Sequence, residues 1–203
     1  ETRDPLERLK FSFFPGCSLK ASGHENTLSL LKFCDRVNIE LMELEDWNCC
    51  GSSSAHSVDH EVALRLPMRN ISLAPKGIPL MIACPSCLIR MKSTYLKIKK
   101  DKNLRKKYET LWGKPFDDEL EIIHFFEIFD RIHVNDYITD AGEKLKNLKV
   151  APYYGCMLSM PPDLRHEKKY YGIMERTLSS LGADIISYGY GKRCCGTYLS
   201  AAK

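Results

Sequence analysis

Ile78-Pro79-Leu80-Met81-Ile82-Ala83-Cys84-Pro85-Ser86-Cys87 is the stretch on which the fold turns. Its first six residues form a short apolar run after the breaker Pro75-Lys76-Gly77, and the run reads as a buried strand ending at Cys84. Pro85 stiffens the turn from Cys84 to Cys87, and a helix beginning near Cys87 would aim backbone N–H groups at the end of the strand. The unit is a strand that delivers thiols to its carboxyl end, and it recurs upstream.

Phe11 to Pro15 is a second apolar run, stopped by Pro15-Gly16, and it empties into a loop at Cys17. From His24 to Val37 the apolar residues recur at helical spacing, and Asn38 can end that helix. Alternation from Ile39 to Leu44 suits another strand, whose exit leads to Cys49-Cys50-Gly51. A helix is expected from near Asp59 to Leu73, with Pro67 as a possible kink. Strand, helix, strand, helix, strand is the pattern of a parallel α/β sheet, in which ligands collect outside the carboxyl ends of the strands. All three cysteine groups fall at such ends.

Downstream, Lys97 to Lys107 carries seven basic residues (Lys97, Lys99, Lys100, Lys102, Arg105, Lys106, Lys107) and reads as a solvated helix and linker. A docking surface for an acidic partner is the sharper alternative. Leu120 to His124 reads as a strand, Phe125 to Ile132 as a helix and Thr139-Asp140-Ala141-Gly142 as a turn. The opening theme then returns: Tyr153-Tyr154-Gly155-Cys156 echoes Phe13-Phe14-Pro15-Gly16-Cys17 one residue shorter, and Cys194-Cys195-Gly196 echoes Cys49-Cys50-Gly51. A helix from about Asp163 to Leu181, capped by Gly182, and a strand from Asp184 to Tyr188 lie between them. This is an internal duplication, with halves expected at residues 1–146 and 147–203.

The chain of 203 residues has 44% hydrophobic and 28% charged content and a net charge of +4. That is enough apolar material for a real core, and the modest charge gives little support for nucleic acid binding. No apolar stretch approaches the roughly 18 to 20 residues of a membrane helix and the charged start is not signal-like, so no direct membrane span and a cytoplasmic location are expected. The sequence does not begin with Met, and missing ends are expected.

Nine cysteines, most of them clustered, are an odd number in a chain with no visible signal peptide. Metal or redox chemistry therefore has precedence over a disulfide scaffold. The first half reads CX31CCGX32CPSC, and its five thiols exceed the four that a tetrahedral zinc takes. Iron–sulfur clusters present several irons on a larger body, so adjacent cysteines can bind different irons. Gly51 would let the backbone turn tightly beside such a body. A structural zinc module and a thioredoxin-like dithiol at Cys84 and Cys87 remain the competing readings, the latter leaving Cys17, Cys49 and Cys50 without a task. Cys34, inside a helix, is set aside as a buried thiol. His124 at a strand end, His56 and His60 after the CCG element, and Tyr153, Tyr154, Tyr188 and Tyr190 near the second motif are read first as structural residues.

The arrangement CX31CCGX32CPSC with its partial repeat CX37CCG resembles the cysteine-rich CCG-domain family, and within it the B subunits of heterodisulfide reductases, where two such motifs lie in tandem. The resemblance runs from Phe13 to Gly196. It implies two duplicated CCG half-domains, each a small parallel sheet with flanking helices and a cluster site at the strand ends. It implies one or two noncubane 4Fe-4S clusters, with Cys17, Cys49, Cys50, Cys84 and Cys87 as ligands of the first and Cys156, Cys194 and Cys195 as ligands of the second. The spacing of the first motif carried past Cys195 sets the last CxxC of the second beyond Lys203, so the second half is expected to be cut short. The implied activity is that of an oxidoreductase acting on a sulfur group: a small disulfide lies between the clusters and is reduced or formed. Electrons pass through a ferredoxin-like iron–sulfur subunit, itself supplied by a flavin subunit. Related chains serve instead as cluster-bearing electron-transfer subunits of succinate, quinone-linked or hydroxyacid dehydrogenase complexes.

Overall fold

Strand β1 (Leu9–Phe14) takes the middle of a sheet because its side chains are apolar on both faces: Phe11, Phe13 and Phe14 are at most 2% exposed. Only a strand covered on both sides can bury consecutive large residues. Each such phenyl contributes about 2 kcal/mol by leaving water. The one polar residue of the run, Ser12, is fully buried and donates its hydroxyl to the carbonyl of Pro79 at 3.1 Å. These features belong to a computed structural model that describes residues 8–52, 55–132, 137, 145–159 and 172–196.

The chain divides into two compact units, Glu1–Phe125 and Phe126–Lys203. In the first, β2 (Ile39–Glu43), β1, β3 (Leu80–Ile82) and β4 (Ile122–His124) form a four-stranded sheet in the order β2-β1-β3-β4. Every pairing is parallel, with Phe11 opposite Leu41, Phe14 opposite Ile82, and Ile82 opposite His124. A parallel sheet places all its strand exits on one edge. The expected α/β class with a small parallel sheet and flanking helices is therefore the observed one.

The helices obey local rules. Helix α1 (Gly16–Lys20) is a single short turn, and α2 (His24–Arg36) buries Thr27, Leu30 and Cys34 along one face. After the short α3 (Ala55–Val58), Asp59 caps α4 (His60–Leu73) by accepting from the N–H groups of Glu61 at 2.7 Å and Val62 at 3.2 Å. Pro67 is accommodated inside α4 on its buried face. Helix α5 (Pro85–Lys100) starts with proline in its first turn, where a missing N–H costs nothing, and buries Cys87, Leu88, Met91, Thr94, Tyr95 and Ile98. Asp101 ends α5 and caps α6 (Lys102–Trp112), which stops at Gly113 with φ +62°.

Several boundaries differ from the sequence expectation. Cys17 lies in α1 and not in an open loop: Pro15 already has helical backbone angles, and Thr27 Oγ1 donates to the Leu19 carbonyl at 2.7 Å, tying the turn to α2. The basic run forms the end of α5 and most of α6, two helices joined at Asp101. Phe125–Asp130 winds as a 3-10 helix rather than an α-helix, since so short a segment cannot propagate an α-helix alone and is held by burying Glu127 and Ile128.

In the second unit, β5 (Lys149–Val150) pairs in parallel with β6 (Asp184–Ile185), much as β1 pairs with β2. Helix α7 (Gly155–Ser159) carries Cys156, the counterpart of Cys17 in α1. Helix α8 (Ile173–Ser180) begins after Gly172, whose φ of +78° interrupts the long helix anticipated from Asp163. The residues expected to form its first half, and the turn at Thr139 to Gly142, lie outside the described residues.

Candidate metal centre

Three strand exits meet on one edge of the first sheet. Strand β1 leads through Pro15-Gly16 to Cys17, β2 leads to Cys49-Cys50-Gly51, and β3 leads through Ala83 to Cys84, the cap of α5, and Cys87 in its first turn. Gly16 and Gly51 both hold φ +74°, a left-handed conformation that costs a side-chain-bearing residue about 1–2 kcal/mol. Space reinforces the need at Gly16, because a methyl group there would stand 3.1 Å from the Cys87 sulfur. At Gly51 it would meet Leu66 of α4 at 3.0 Å.

The sulfurs converge. Cys50 Sγ and Cys87 Sγ are 3.1 Å apart and buried, while Cys17 and Cys49 are exposed and Cys84 is half-buried. The Cys50 thiol is brought down to about 6, first by its hydrogen bond with Cys87, then against the cost of burial, with further help from Ser52. The Cys84 thiol is also brought down to about 6, again by Cys87 first, and by the N–H groups of Cys87 and Ser86 at the start of α5. Cys87 is pushed far up because it keeps the proton that both neighbours draw upon. Partial burial raises the Cys49 thiol, and the nearby Cys50 and Cys17 raise it further. The Gly51 N–H points at the Cys49 sulfur, 3.4 Å away. The thiols thus form a chain of neighbours, Cys17 beside Cys49, Cys49 beside Cys50, and Cys50 beside Cys84 and Cys87.

The three thiols of the second unit repeat part of this pattern. The Gly196 N–H lies 3.4 Å from Cys194 Sγ, matching Gly51 and Cys49, and Gly155 and Gly196 hold φ +68° and +78° as Gly16 and Gly51 do. Cys156 is raised by partial burial and then by the adjacent Cys194 and Cys195. Cys194 and Cys195 are exposed.

The donor chemistry suits a thiolate-held group larger than one ion. At 3.1 Å, Cys50 and Cys87 are closer than the about 3.8 Å between two sulfurs bonded to one tetrahedral zinc, so both could ligate one centre only if their side chains turned apart. Among the described residues, no group of three or more His, Cys, Asp and Glu side chains stands ready to hold a metal ion. N–H groups at the start of α5 and beside Cys49 offer the donors that stabilise anionic sulfur.

The other candidates separate cleanly. Cys34 is 1% exposed on α2, and burial pushes its thiol up to about 12. His124 is 2% exposed at the end of β4, its Nε2 is 3.0 Å from the Ala83 carbonyl, and burial brings it down to about 4. His56 and His60 are exposed. Tyr154 is buried and donates its hydroxyl to Glu175 at 2.5 Å, whereas Tyr188 and Tyr190 are exposed.

Sequence reasoning overlooked Asn48, Arg69 and Asn70. Asn70 is fully buried on α4 and exchanges two hydrogen bonds with the backbone of Asn48, the residue before the vicinal cysteines. The one signal in the sequence was an amide in the buried stripe of a helix beside Met68 and Ile71.

Residues 11–92 match the cysteine-rich CCG domain. That match spans β1 to the middle of α5 and contains all five converging cysteines. Over nearly its whole length the chain is also similar to three curated proteins. It is 29% identical over 193 residues to the 8-methylmenaquinol:fumarate reductase membrane anchor subunit of Wolinella succinogenes, covering 92% of this chain and 67% of that one. It is 26% identical over 199 residues to the B subunit of the ferredoxin:CoB-CoM heterodisulfide reductase of Methanosarcina mazei, covering 92% and 65%. It is 23% identical over 198 residues to a protein of Archaeoglobus profundus described as like the heterodisulfide reductase B subunit, covering 93% and 66%. The chain therefore spans about two thirds of the length of the relatives it matches. No helix among the described residues is long and apolar enough to cross a membrane.

Proposed function

We propose that this chain is an iron–sulfur redox subunit of a heterodisulfide reductase-like complex. The observation that carries the reading is the meeting of Cys17, Cys49-Cys50 and Cys84/Cys87 from three strand exits, with Cys50 and Cys87 in sulfur contact. The similarity of the chain to the heterodisulfide reductase proteins of Methanosarcina mazei and Archaeoglobus profundus supports it. The five cysteines hold a 4Fe-4S cluster of the noncubane type, and Cys156, Cys194 and Cys195 contribute to a second one. Residues 1–146 and 147–203 are the two half-domains that the duplication defines.

When bound, such a group supplies single electrons to a disulfide or withdraws them from a pair of thiols. The chain's own residues hold and shield it. Buried Cys50 and Cys87 anchor the inner side, exposed Cys17 and Cys49 face the approach, and the N–H groups of Gly51, Ser86 and Cys87 stabilise negative charge on sulfur. In this reading the electrons come from a ferredoxin-like iron–sulfur subunit fed by a flavin subunit of the same complex. The substrate is a small disulfide or thiol pair.

A second reading is favoured by the 29% identity to the Wolinella succinogenes protein: a cluster-bearing electron-transfer subunit of a quinone-linked reductase or dehydrogenase. Both readings share the cluster and differ in partner. Iron and acid-labile sulfide measured on anaerobically purified protein test the shared part, with about four of each expected per loaded site. Zinc without sulfide overturns both. Copurification with flavin and ferredoxin-like subunits supports the first reading, and copurification with a fumarate or succinate reductase overturns it in favour of the second.

A further inference from the structure

The peptide that launches the vicinal cysteines is gripped by an unusual set of side chains. Asn70 Nδ2 donates to the Asn48 carbonyl at 2.8 Å while Asn70 Oδ1 accepts from the Asn48 N–H at 3.0 Å. One buried amide thereby pairs with both polar groups of a single backbone residue. Asn48 in turn donates its own amide to the carbonyls of Cys49 at 2.8 Å and Leu66 at 3.1 Å. Its side-chain oxygen accepts from Arg69 at 3.0 Å, and Arg69 also binds the carbonyl and carboxylate of Asp46. Helix α4 thus holds the loop before Cys49 through Asn70 and Arg69, and limits it after Cys50 through Leu66, which sits against Gly51.

The second unit solves the same problem with different chemistry. The residue before its vicinal pair is Arg193, and the Arg193 carbonyl accepts the Tyr153 hydroxyl at 2.6 Å. In both units a side-chain donor therefore fixes the carbonyl that immediately precedes the cysteine pair. The Asn70 amide fixes the N–H of that residue as well as its carbonyl, whereas the Arg193 N–H is held by the backbone carbonyl of Tyr190 at 3.0 Å, so only the first loop takes both bonds from one side chain.

We propose that Asn70, acting through Asn48, is a positioning residue that sets the direction of the Cys49 and Cys50 thiolates and so tunes the group they hold. The inference rests on the cluster reading. A buried amide whose donor and acceptor both engage one neighbour is costly to leave half-satisfied, so it resists reorientation of the loop. Thiolate direction governs the fit of each sulfur to its iron, and hydrogen bonding near the sulfurs governs the reduction potential.

The test compares wild type, Asn70→Ala and Met68→Ala, the last a fully buried residue of α4 whose side chain makes none of the hydrogen bonds that hold the loop. Each full chain is prepared anaerobically, and four quantities are followed: thermal midpoint, amide exchange at Asn48, electron paramagnetic resonance spectrum, and the rate of iron loss to a chelator. Asn70→Ala is expected to release iron at least about tenfold faster, since both the N–H and the carbonyl of Asn48 lose their partner. It is also expected to speed exchange at Asn48 and to alter the spectrum. Met68→Ala is expected to lower the thermal midpoint comparably with the spectrum unchanged. Wild-type spectrum and iron-loss rate in Asn70→Ala, or equal changes in both variants, overturn the positioning role while leaving the cluster in place. A wild-type chain that takes up no iron overturns the cluster reading, and with it the role of Asn70 toward a cluster, in the wild-type arm alone.

Discussion

The sulfur of Cys50 lies 3.1 Å from that of Cys87, which is 37 residues away in sequence. The parallel sheet brings these distant segments to one edge with both thiols buried. If these thiols are ligands, removing one costs the site far more than removing a buried thiol elsewhere. Cys50→Ser is expected to lose most of the iron, whereas Cys34→Ser keeps it and costs about 1 kcal/mol of stability for burying a hydroxyl. Iron per chain after anaerobic purification checks this, and equal loss in the two variants sinks the ligand assignment.

Gly16 carries two demands at once: a φ of +74° and the Cys87 sulfur 3.1 Å from where a methyl would sit. Gly16→Ala is expected to destabilise the protein by about 1–2 kcal/mol from the backbone alone and also to lower iron content, because the new methyl crowds a thiol. Gly113→Ala, at φ +62° with open space around it, is expected to lower stability without touching iron. Similar iron content in both alanine variants would falsify the steric part of the argument.

Much of this was legible in the sequence because β1 and β3 announce themselves as apolar runs ended by Pro15-Gly16 and by Cys84, and β2 by its alternation. Phe11 to Phe14 and Leu80 to Ile82 are buried on both faces, and such runs need no alternation to be recognised. The expectation that Cys17, Cys49, Cys50, Cys84 and Cys87 share one rim followed from the parallel pattern, which sets every strand's carboxyl end on the same edge. What escaped depended on tertiary contact. The turn of α1 is too short to show a period, and the 3-10 segment from Phe125 is chosen by burial of Glu127 and Ile128 rather than by helix propensity. Asn70 reads as an ordinary helix residue until Asn48 is placed opposite it, 22 residues away.

Asp59 terminates no strand and holds no thiol, yet it organises the start of α4, the helix that bears Leu66 and Asn70. Its carboxylate satisfies the N–H groups of Glu61 and Val62. Asp59→Ala is expected to cost about 1 kcal/mol while the iron content stays that of wild type. Chemical denaturation reads the first quantity and metal analysis the second. A fall in iron at unchanged stability would show that the segment before α4 touches the site directly.

His124 gives the protein an acid-sensitive component. Burial at the end of β4 brings its folded-state pKa down to about 4, below the ordinary value of 6.5, with the Ala83 carbonyl opposing the shift only in part. Protonation therefore favours the unfolded chain. The stabilisation from keeping this ring neutral is complete above about pH 6.5 and is lost as pH falls toward 4, amounting to about 3 kcal/mol across that window. Replacing the ring by an uncharged amide removes the titration without removing hydrogen-bonding capacity. Unfolding free energies of wild type and His124→Gln, measured anaerobically from pH 7.5 to 4.5, are expected to converge as the pH drops. Parallel curves would mean that His124 takes up its proton as readily in the folded protein as in the unfolded chain.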